Sequence, residues 1–397
     1  MKEKKQIFWM LLSHEMFGSP LAVIPDSTDW NDILALGQKH AVSALLYPVA
    51  KECGDVPTQV MNELRNAAML SLVNNEKLLY VQDQVISALS ARNIPYAILK
   101  GASVACCYLH SELRVLGDID VLVDERQYDA ACTALTECGF SYIGATDMHG
   151  NFEGFGASVE VHRFVSRFPD TEKGRYAQAY MANALLHTKE CTINESRFPI
   201  LDCPQQMIAL LAHLERHMGT TGIGLRQVCD WAMTVHVNRK VIDEKTLQLL
   251  DDCGFLHFAR IMTRLCEKYL GLPPLDWSAG VTDKVVDAVL EEIMDAGNFT
   301  EQCGERAIEG AMINAQGNYE GNRKSLFHNY TAYVRRKAHY EYPWARSVLW
   351  QPLFWIYYPI LWMVRVMTGS RKAANPLLAV KQARIRERLI QQLKLYQ

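Results

Sequence analysis

Two aspartates separated by one residue stand in the run Asp118-Ile119-Asp120-Val121-Leu122-Val123. The run alternates acid and apolar and then becomes fully apolar, as a strand with one face in a cleft does. Residues i and i+2 of a strand share a face. Two like charges that close are costly unless something positive lies between them. A hard divalent cation meets that need, and carboxylate oxygens with water suit Mg²⁺, with Mn²⁺ as the alternative. A third acid, Glu160, falls in the alternating stretch Ala157–Arg163, and Glu153 is its competitor. Three converging carboxylates can hold two metal ions, the geometry for in-line displacement at phosphorus.

Upstream lies Leu99-Lys100-Gly101-Ala102-Ser103. A strand over 96–99 that stops at Gly101 and leads into a helix over 102–110 lets backbone N–H groups approach an anion. Polyphosphate would then sit on one side of the metals and a nucleophile on the other. Lys100 and Arg114 either touch phosphate or are surface charges. His162 shares the face of Glu160 and either binds nucleotide, orients the carboxylate or packs as a structural histidine. His213 and His217 lie one helical turn apart. With no third ligand and no His-Glu-x-x-His pattern, contact with nucleotide or acceptor is preferred to zinc. Arg226 and Asp230, also four apart, read as a helix-surface ion pair or as part of the site.

The set Leu99-Lys100-Gly101, Asp118-Ile119-Asp120 and Glu160 resembles the nucleotidyltransferase superfamily that includes DNA polymerase beta. It is more closely similar to a bacterial nucleotidyltransferase family known mainly from sequence. That family shows Leu-Lys-Gly, an Arg before Asp-Ile-Asp-Leu-Leu-Val, an acid-x-His strand, and a later helix with paired histidines, then Arg and Asp. Here these read Leu99-Lys100-Gly101, Arg114, Asp118–Val123, Glu160-Val161-His162, His213 and His217, and Arg226 with Asp230. The resemblance covers roughly 60–240. One position departs from the superfamily, since Ala102 follows Gly101 and the hydroxyl of Ser103 comes one residue later.

The resemblance implies transfer of a nucleotide from an NTP to an acceptor, with pyrophosphate released. Asp118 and Asp120 would bind the metal that carries the phosphates. Glu160 would complete a second metal site and activate the acceptor. Gly101 and Ser103 would cradle the terminal phosphates, and Lys100 or Arg114 would neutralise the leaving pyrophosphate. The acceptor is open among sugar, antibiotic, protein side chain and nucleic acid. The alternatives are a non-catalytic nucleotide-binding protein and a membrane-associated accessory of envelope polysaccharide biosynthesis.

The elements that must position these residues form a β-α-β-α-β-β pattern over 92–165, with strands at 96–99, 118–123, 139–143 and 157–163 and a Gly-rich turn region between the last two. Asp124 caps a helix over 125–138. The fold class is α+β: a small mixed-sheet nucleotidyltransferase core with helical N-terminal and C-terminal domains. The divisions are 1–91 helical, 92–165 the α/β core, 166–330 helical, and 331–397 an aromatic, basic arm and helix. Helices are expected at the N-terminus, 58–90, 205–218, 225–237, 283–297 and 382–396.

The chain holds 397 residues, with 41 basic and 44 acidic side chains. That balance argues against long nucleic acid as a partner. The 11 cysteines are scattered without a Cys-x-x-Cys pair, as free thiols in a cytoplasmic protein are. The basic-then-apolar N-terminus is interrupted at Ser13, His14 and Glu15 and reads as an amphipathic helix rather than a signal peptide. Residues 348–364, VLWQPLFWIYYPILWMV, are apolar and aromatic. Arg335, Arg336, Lys337, Arg346, Arg365, Arg371 and Lys372 flank them. Pro352 and Pro359 are expected to break this stretch. A hydrophobic arm packed on the helices or on a second subunit is the preferred reading, and peripheral contact with the inner face of a membrane is the other.

Overall fold

The computed structural model describes residues 2–220, 222–297, 347–368 and 376–397, with isolated positions between 313 and 344. It is a mixed α+β protein. Four helices lead: α1 (Lys2–Phe17), α2 (Trp30–Lys39), α3 (Ser43–Glu52) and α4 (Thr58–Ser90). Seven strands make one sheet: β1 (Tyr96–Leu99), β2 (Ile119–Val123), β3 (Ser141–Ala145), β4 (His149–Gly154), β5 (Ala157–His162), β6 (Thr188–Ile193) and β7 (Ser196–Leu201). Their spatial order is β3-β4-β5-β2-β1-β7-β6. The short α5 (Gly101–Ala105), then α6 (Tyr128–Glu137) and α7 (Glu172–Met181), connect strands. The chain continues through α8 (Cys203–Met218), α9 (Leu225–Asn238), α10 (Glu244–Asp252), α11 (Leu256–Leu265) and α12 (Asp283–Ala296). The C-terminal arm contributes α13 (Gln351–Met367) and α14 (Pro376–Gln392).

The sheet separates two apolar cores because its strands alternate their side chains. Ile119, Val121, Val123, Val159 and Val161 face one core with Leu78, Val81, Val85 and Leu89 of α4 and Leu135 of α6. Leu99 and Leu122 face the other, which also takes in Leu211 of α8, Trp231 of α9 and Phe8 and Leu12 of α1. Helix α4 serves both. Its first half, through Val60, Leu64 and Ala68, lies in the helical core. With 33 residues, it runs about 50 Å at 1.5 Å per residue.

Several sequence expectations need correction. Residues 149–154 form strand β4 rather than a turn. Gly150 and Gly154 are small for packing: a Cβ would lie 2.5 Å from the Tyr128 hydroxyl at the first and 2.4 Å from the Phe140 ring at the second. The turn is confined to Phe155 and Gly156, whose φ values of 51° and 75° give the left-handed pair favoured in two-residue hairpins. No strand was expected in 166–330, yet β6 and β7 extend the sheet there. Pro199 disguises β7, since proline reads as a strand breaker. Asp124 caps a 3₁₀ turn over Glu125–Gln127 rather than α6 itself.

The arm differs as well. Helix α13 runs unbroken through Pro359, while Pro352 sits in its first turn, where no intrahelical N–H is lost. Among its described side chains, Phe354 and Tyr358 are the buried ones. No helix among the described residues is long and apolar enough to cross a membrane. Arg336, Lys337, Arg346, Arg371 and Lys372 lie outside the described residues, as does the expected boundary at 330. All ten described cysteines are free.

Candidate active site

Strand pairing sets the site. Strands β2 and β5 run parallel with Asp120 opposite Glu160 and Leu122 opposite His162. Strand β4 adds Asn151 opposite Glu160 and His149 opposite His162. The shared face thus carries two rows of polar side chains, directed away from the valine-rich core. Asp118 precedes β2 by one residue. Carboxylate oxygens of Asp118, Asp120 and Glu160 all come within 4.8 Å of one another. Glu153, on the open side of β4, is not in this cluster.

Asp120 is the buried member, 3% exposed. Lys100 Nζ donates to its Oδ1 at 2.8 Å, and His162 Nε2 donates to the same oxygen at 2.8 Å. Burial opposes its charge, but the ammonium and the imidazole N–H outweigh it and hold the carboxyl well below its usual range. His162 Nε2 also lies 3.2 Å from Glu160 Oε2, and His149 Nε2 lies 3.7 Å from Glu160 Oε1. Asp118 opens onto the cavity. The adjacent Asp120 charge raises its carboxyl to about 6, with enclosure second and Lys100 opposing. A carboxylate held ionised beside one pushed toward neutrality is a cluster short of positive charge.

Lys100 is placed by a backbone that an L-residue rarely adopts, with φ 44° and ψ −140°. Strand β1 ends there and α5 begins at Gly101. Such a conformation costs on the order of 1 kcal/mol or more. Gly101 itself has room: a Cβ would meet Asp118 O at 3.6 Å, ordinary contact. Ser103 does not reach the cavity. It is 3% exposed, its Oγ donates to Lys100 O at 2.7 Å, and its own carbonyl accepts from Gln206 at 3.0 Å. These bonds brace the Lys100 turn.

The loop before Asp118 is fixed from α4. Asn75 Nδ2 donates to the carbonyls of Glu112 at 3.1 Å and Arg114 at 2.9 Å, and its Oδ1 accepts from Leu116 N at 3.0 Å. Ser71 Oγ donates to Glu112 O at 2.8 Å, and Asn74 Nδ2 to Leu116 O at 2.9 Å. Arg114 lines the same cavity, but its guanidinium is engaged within the protein. It is buried and forks onto both carboxylate oxygens of Asp230, whose Oδ1 also accepts from Tyr108 at 2.9 Å. Asp230 is therefore the internal anchor of Arg114 rather than a surface partner of Arg226.

The cluster floors a cavity of about 850 Å³, whose walls include Lys100, Gly101, Arg216, Arg226, His213 and His217. Arg226 donates to Val115 O at 3.1 Å, while its Nε is buried with no hydrogen-bond partner among the described residues. Burial and the charge of Arg114 lower it to about 10, so it remains a cation at neutral pH. It keeps an unsatisfied donor on the wall. The rings of His213 and His217 meet edge to face at 4.3 Å. Burial lowers both, His217 to about 3 with Arg216 adding to the effect, so both are neutral at pH 7.

The sequence reading missed His149, Asn151, Arg216 and the clamp residues Ser71, Asn74 and Asn75. The first two were hidden in the presumed turn. The clamp was legible as polar residues interrupting the apolar stripe of α4.

No curated protein and no solved structure matches the chain. The sequence pattern of the family described as uncharacterised nucleotidyltransferase matches residues 26–271, more than half of the chain. That span holds all three carboxylates, Lys100, both wall histidines and Arg226. On this match the chain belongs to the uncharacterised nucleotidyltransferase family.

Proposed function

We propose that the protein transfers a nucleoside monophosphate from an NTP to an acceptor in a Mg²⁺- or Mn²⁺-dependent reaction, as a member of the polymerase beta-like superfamily. The observation that carries this reading is the convergence of Asp118, Asp120 and Glu160 on the floor of a cavity with cationic walls. The donor set fits the cation: hard carboxylate oxygens, one of them already drawing an ammonium ion in to 2.8 Å. A bound divalent cation would neutralise the phosphates and make the acceptor oxygen more acidic.

The chain's own residues supply the rest. Lys100 balances the charge of Asp120 in the metal-free protein and is free to turn to phosphate once that charge is met. Arg226 and Arg216 face the departing pyrophosphate, and the backbone at Gly101 leaves space for a phosphate oxygen. His162 orients Asp120 and Glu160. The acceptor oxygen bonds to the α-phosphorus, the bond to the bridging oxygen breaks, and pyrophosphate leaves with that electron pair. Glu160 receives the acceptor proton. The neutral His213 and His217 offer hydrogen bonds to sugar, base or acceptor.

The test is incubation with each of the four NTPs and Mg²⁺ or Mn²⁺, following pyrophosphate release and the mass of candidate sugar, antibiotic and protein acceptors. Release that depends on metal and disappears in Asp118→Asn/Asp120→Asn supports the proposal. Release of equal rate in that variant refutes it. Metal-dependent NTP binding with no turnover on any acceptor favours the non-catalytic alternative.

A further inference from the structure

Helix α13 presents an apolar face that transfer chemistry leaves unused. Leu353, Ile356, Ile360, Met363, Val364 and Met367 are all exposed, Ile356 by 63% and Met367 by 87%. At about 100° per residue these six fall on one stripe, with Phe354 and Tyr358 on the opposite side. The inward side is held by rings: Tyr342 and Trp344 lie 5.2 Å and 5.8 Å from Phe354. Leu349 and Trp350 prolong the exposed face at the N-terminal end, and Tyr357 borders it. Exposed apolar surface of this extent marks an interaction site.

Charge identifies the occupant. Residues 342–385 contain six Lys and Arg and no Asp or Glu, whereas the remainder of the chain carries a net charge of −9; Arg386, the next residue, is buried and paired with Glu292 and does not add to this charge. The basic charge is thus concentrated on the apolar, aromatic arm. A second copy would bring two such arms together, like charge against like. An anionic lipid surface meets both features: headgroups attract the cations, and the acyl boundary accepts Leu, Ile and Met with Trp and Tyr at the headgroup level. With 17 residues, and one side covered by aromatic rings of the arm itself, α13 would lie in the interface plane rather than span it.

We propose that α13 seats the protein on an anionic membrane surface through Leu353, Ile356, Ile360, Met363 and Met367. This does not depend on the nucleotide chemistry, and the two fail separately. The test is co-sedimentation of the full-length protein with phosphatidylcholine vesicles and with vesicles doped with phosphatidylglycerol. Wild type is expected to partition at least about tenfold more strongly onto the anionic vesicles, and about 0.5 M salt should erase that preference. Ile356→Ser/Ile360→Ser/Met363→Ser should weaken partitioning about a hundredfold, with an unchanged circular dichroism spectrum. Failure of wild type to pellet with anionic vesicles overturns the proposal, as does equal pelleting of the folded triple variant. So does a wild-type dimer that binds no vesicles and becomes monomeric in the triple variant, which would make the face a subunit contact. The lipid-charge and salt comparisons use wild type alone and stand even where the variant fails to fold.

Discussion

Replacing Lys100 by methionine removes an ammonium ion that stands 2.8 Å from Asp120 Oδ1 while keeping much of the side chain's length. The pair is enclosed, with the lysine side chain 16% exposed and the aspartate 3%. Removing one partner of a buried pair typically costs about 3–5 kcal/mol. His162 stays on the same oxygen, so the lower end applies, about 3 kcal/mol. For a chain of this size that is a fall in Tm of about 4 °C. The pH dependence has a definite sign. The native carboxyl of Asp120 is held below its unfolded value of 3.8, so its contribution to stability is present above that value and lost as pH falls through the native one. Without Lys100 the native value rises, and the gap between wild type and variant is full at neutral pH and closes on acidification. Thermal melts in chelator from neutral pH down to the carboxylate range measure this. Millimolar Mg²⁺ or Mn²⁺ should raise the Tm of Lys100→Met more than that of wild type, because the cation takes over the lost charge. Equal melting of both proteins at neutral pH in chelator, or a gap that widens with acid, would refute the reasoning. Lys100→Gly should melt above Lys100→Ala by about 1 kcal/mol, since both lose the ammonium but only glycine accepts φ 44° freely.

Glu160→Gln should reduce Mn²⁺ affinity and pyrophosphate release by at least about a hundredfold while leaving the Tm in chelator unchanged or higher, because it relieves like charge near Asp118; titration calorimetry and the release assay check both. Arg114→Lys should cost about 2–3 kcal/mol in urea unfolding through loss of the fork onto Asp230. Arg226→Gln, by contrast, should leave stability within about 1 kcal/mol and raise the KM for NTP about tenfold. If the two arginine variants exchange phenotypes, the division between anchor and phosphate contact is wrong. Gly101→Ala should fold and bind Mn²⁺ normally, given the 3.6 Å clearance, yet lose about tenfold in NTP affinity by crowding the phosphate approach.

The carboxylate cluster was legible because it follows from local rules. Alternation places Asp118 and Asp120 on one face, and the same rule aligns Glu160 with His162. Helices α8 and α9 were legible from their 3.6-residue periodicity. The roles of the cations were not, because they depend on contacts across the chain. Arg114 precedes the acidic strand and invites a phosphate role, but Asp230, 116 residues later, takes its fork. Ser103 follows the Gly101 turn and invites a phosphate role, but its hydroxyl turns back to Lys100 O. Strands β4 and β7 were hidden by Gly150, Gly154 and Pro199, residue types that usually signal turns. In the first two, glycine answers to the Tyr128 and Phe140 rings beneath, a demand no local pattern announces.

The clamp that Ser71, Asn74 and Asn75 place on the loop before Asp118 bears on whether this site is a portable unit. A fragment cut at 92–165 would take all three carboxylates with it. It would leave behind the α4 side chains that satisfy the loop's carbonyls and the Asp230 that fixes Arg114. The first acid of the cluster would then hang from an untethered loop. What appears in sequence as a compact module is therefore not separable from its surroundings. The long helix splints the loop before Asp118 to the helical body through Asn75.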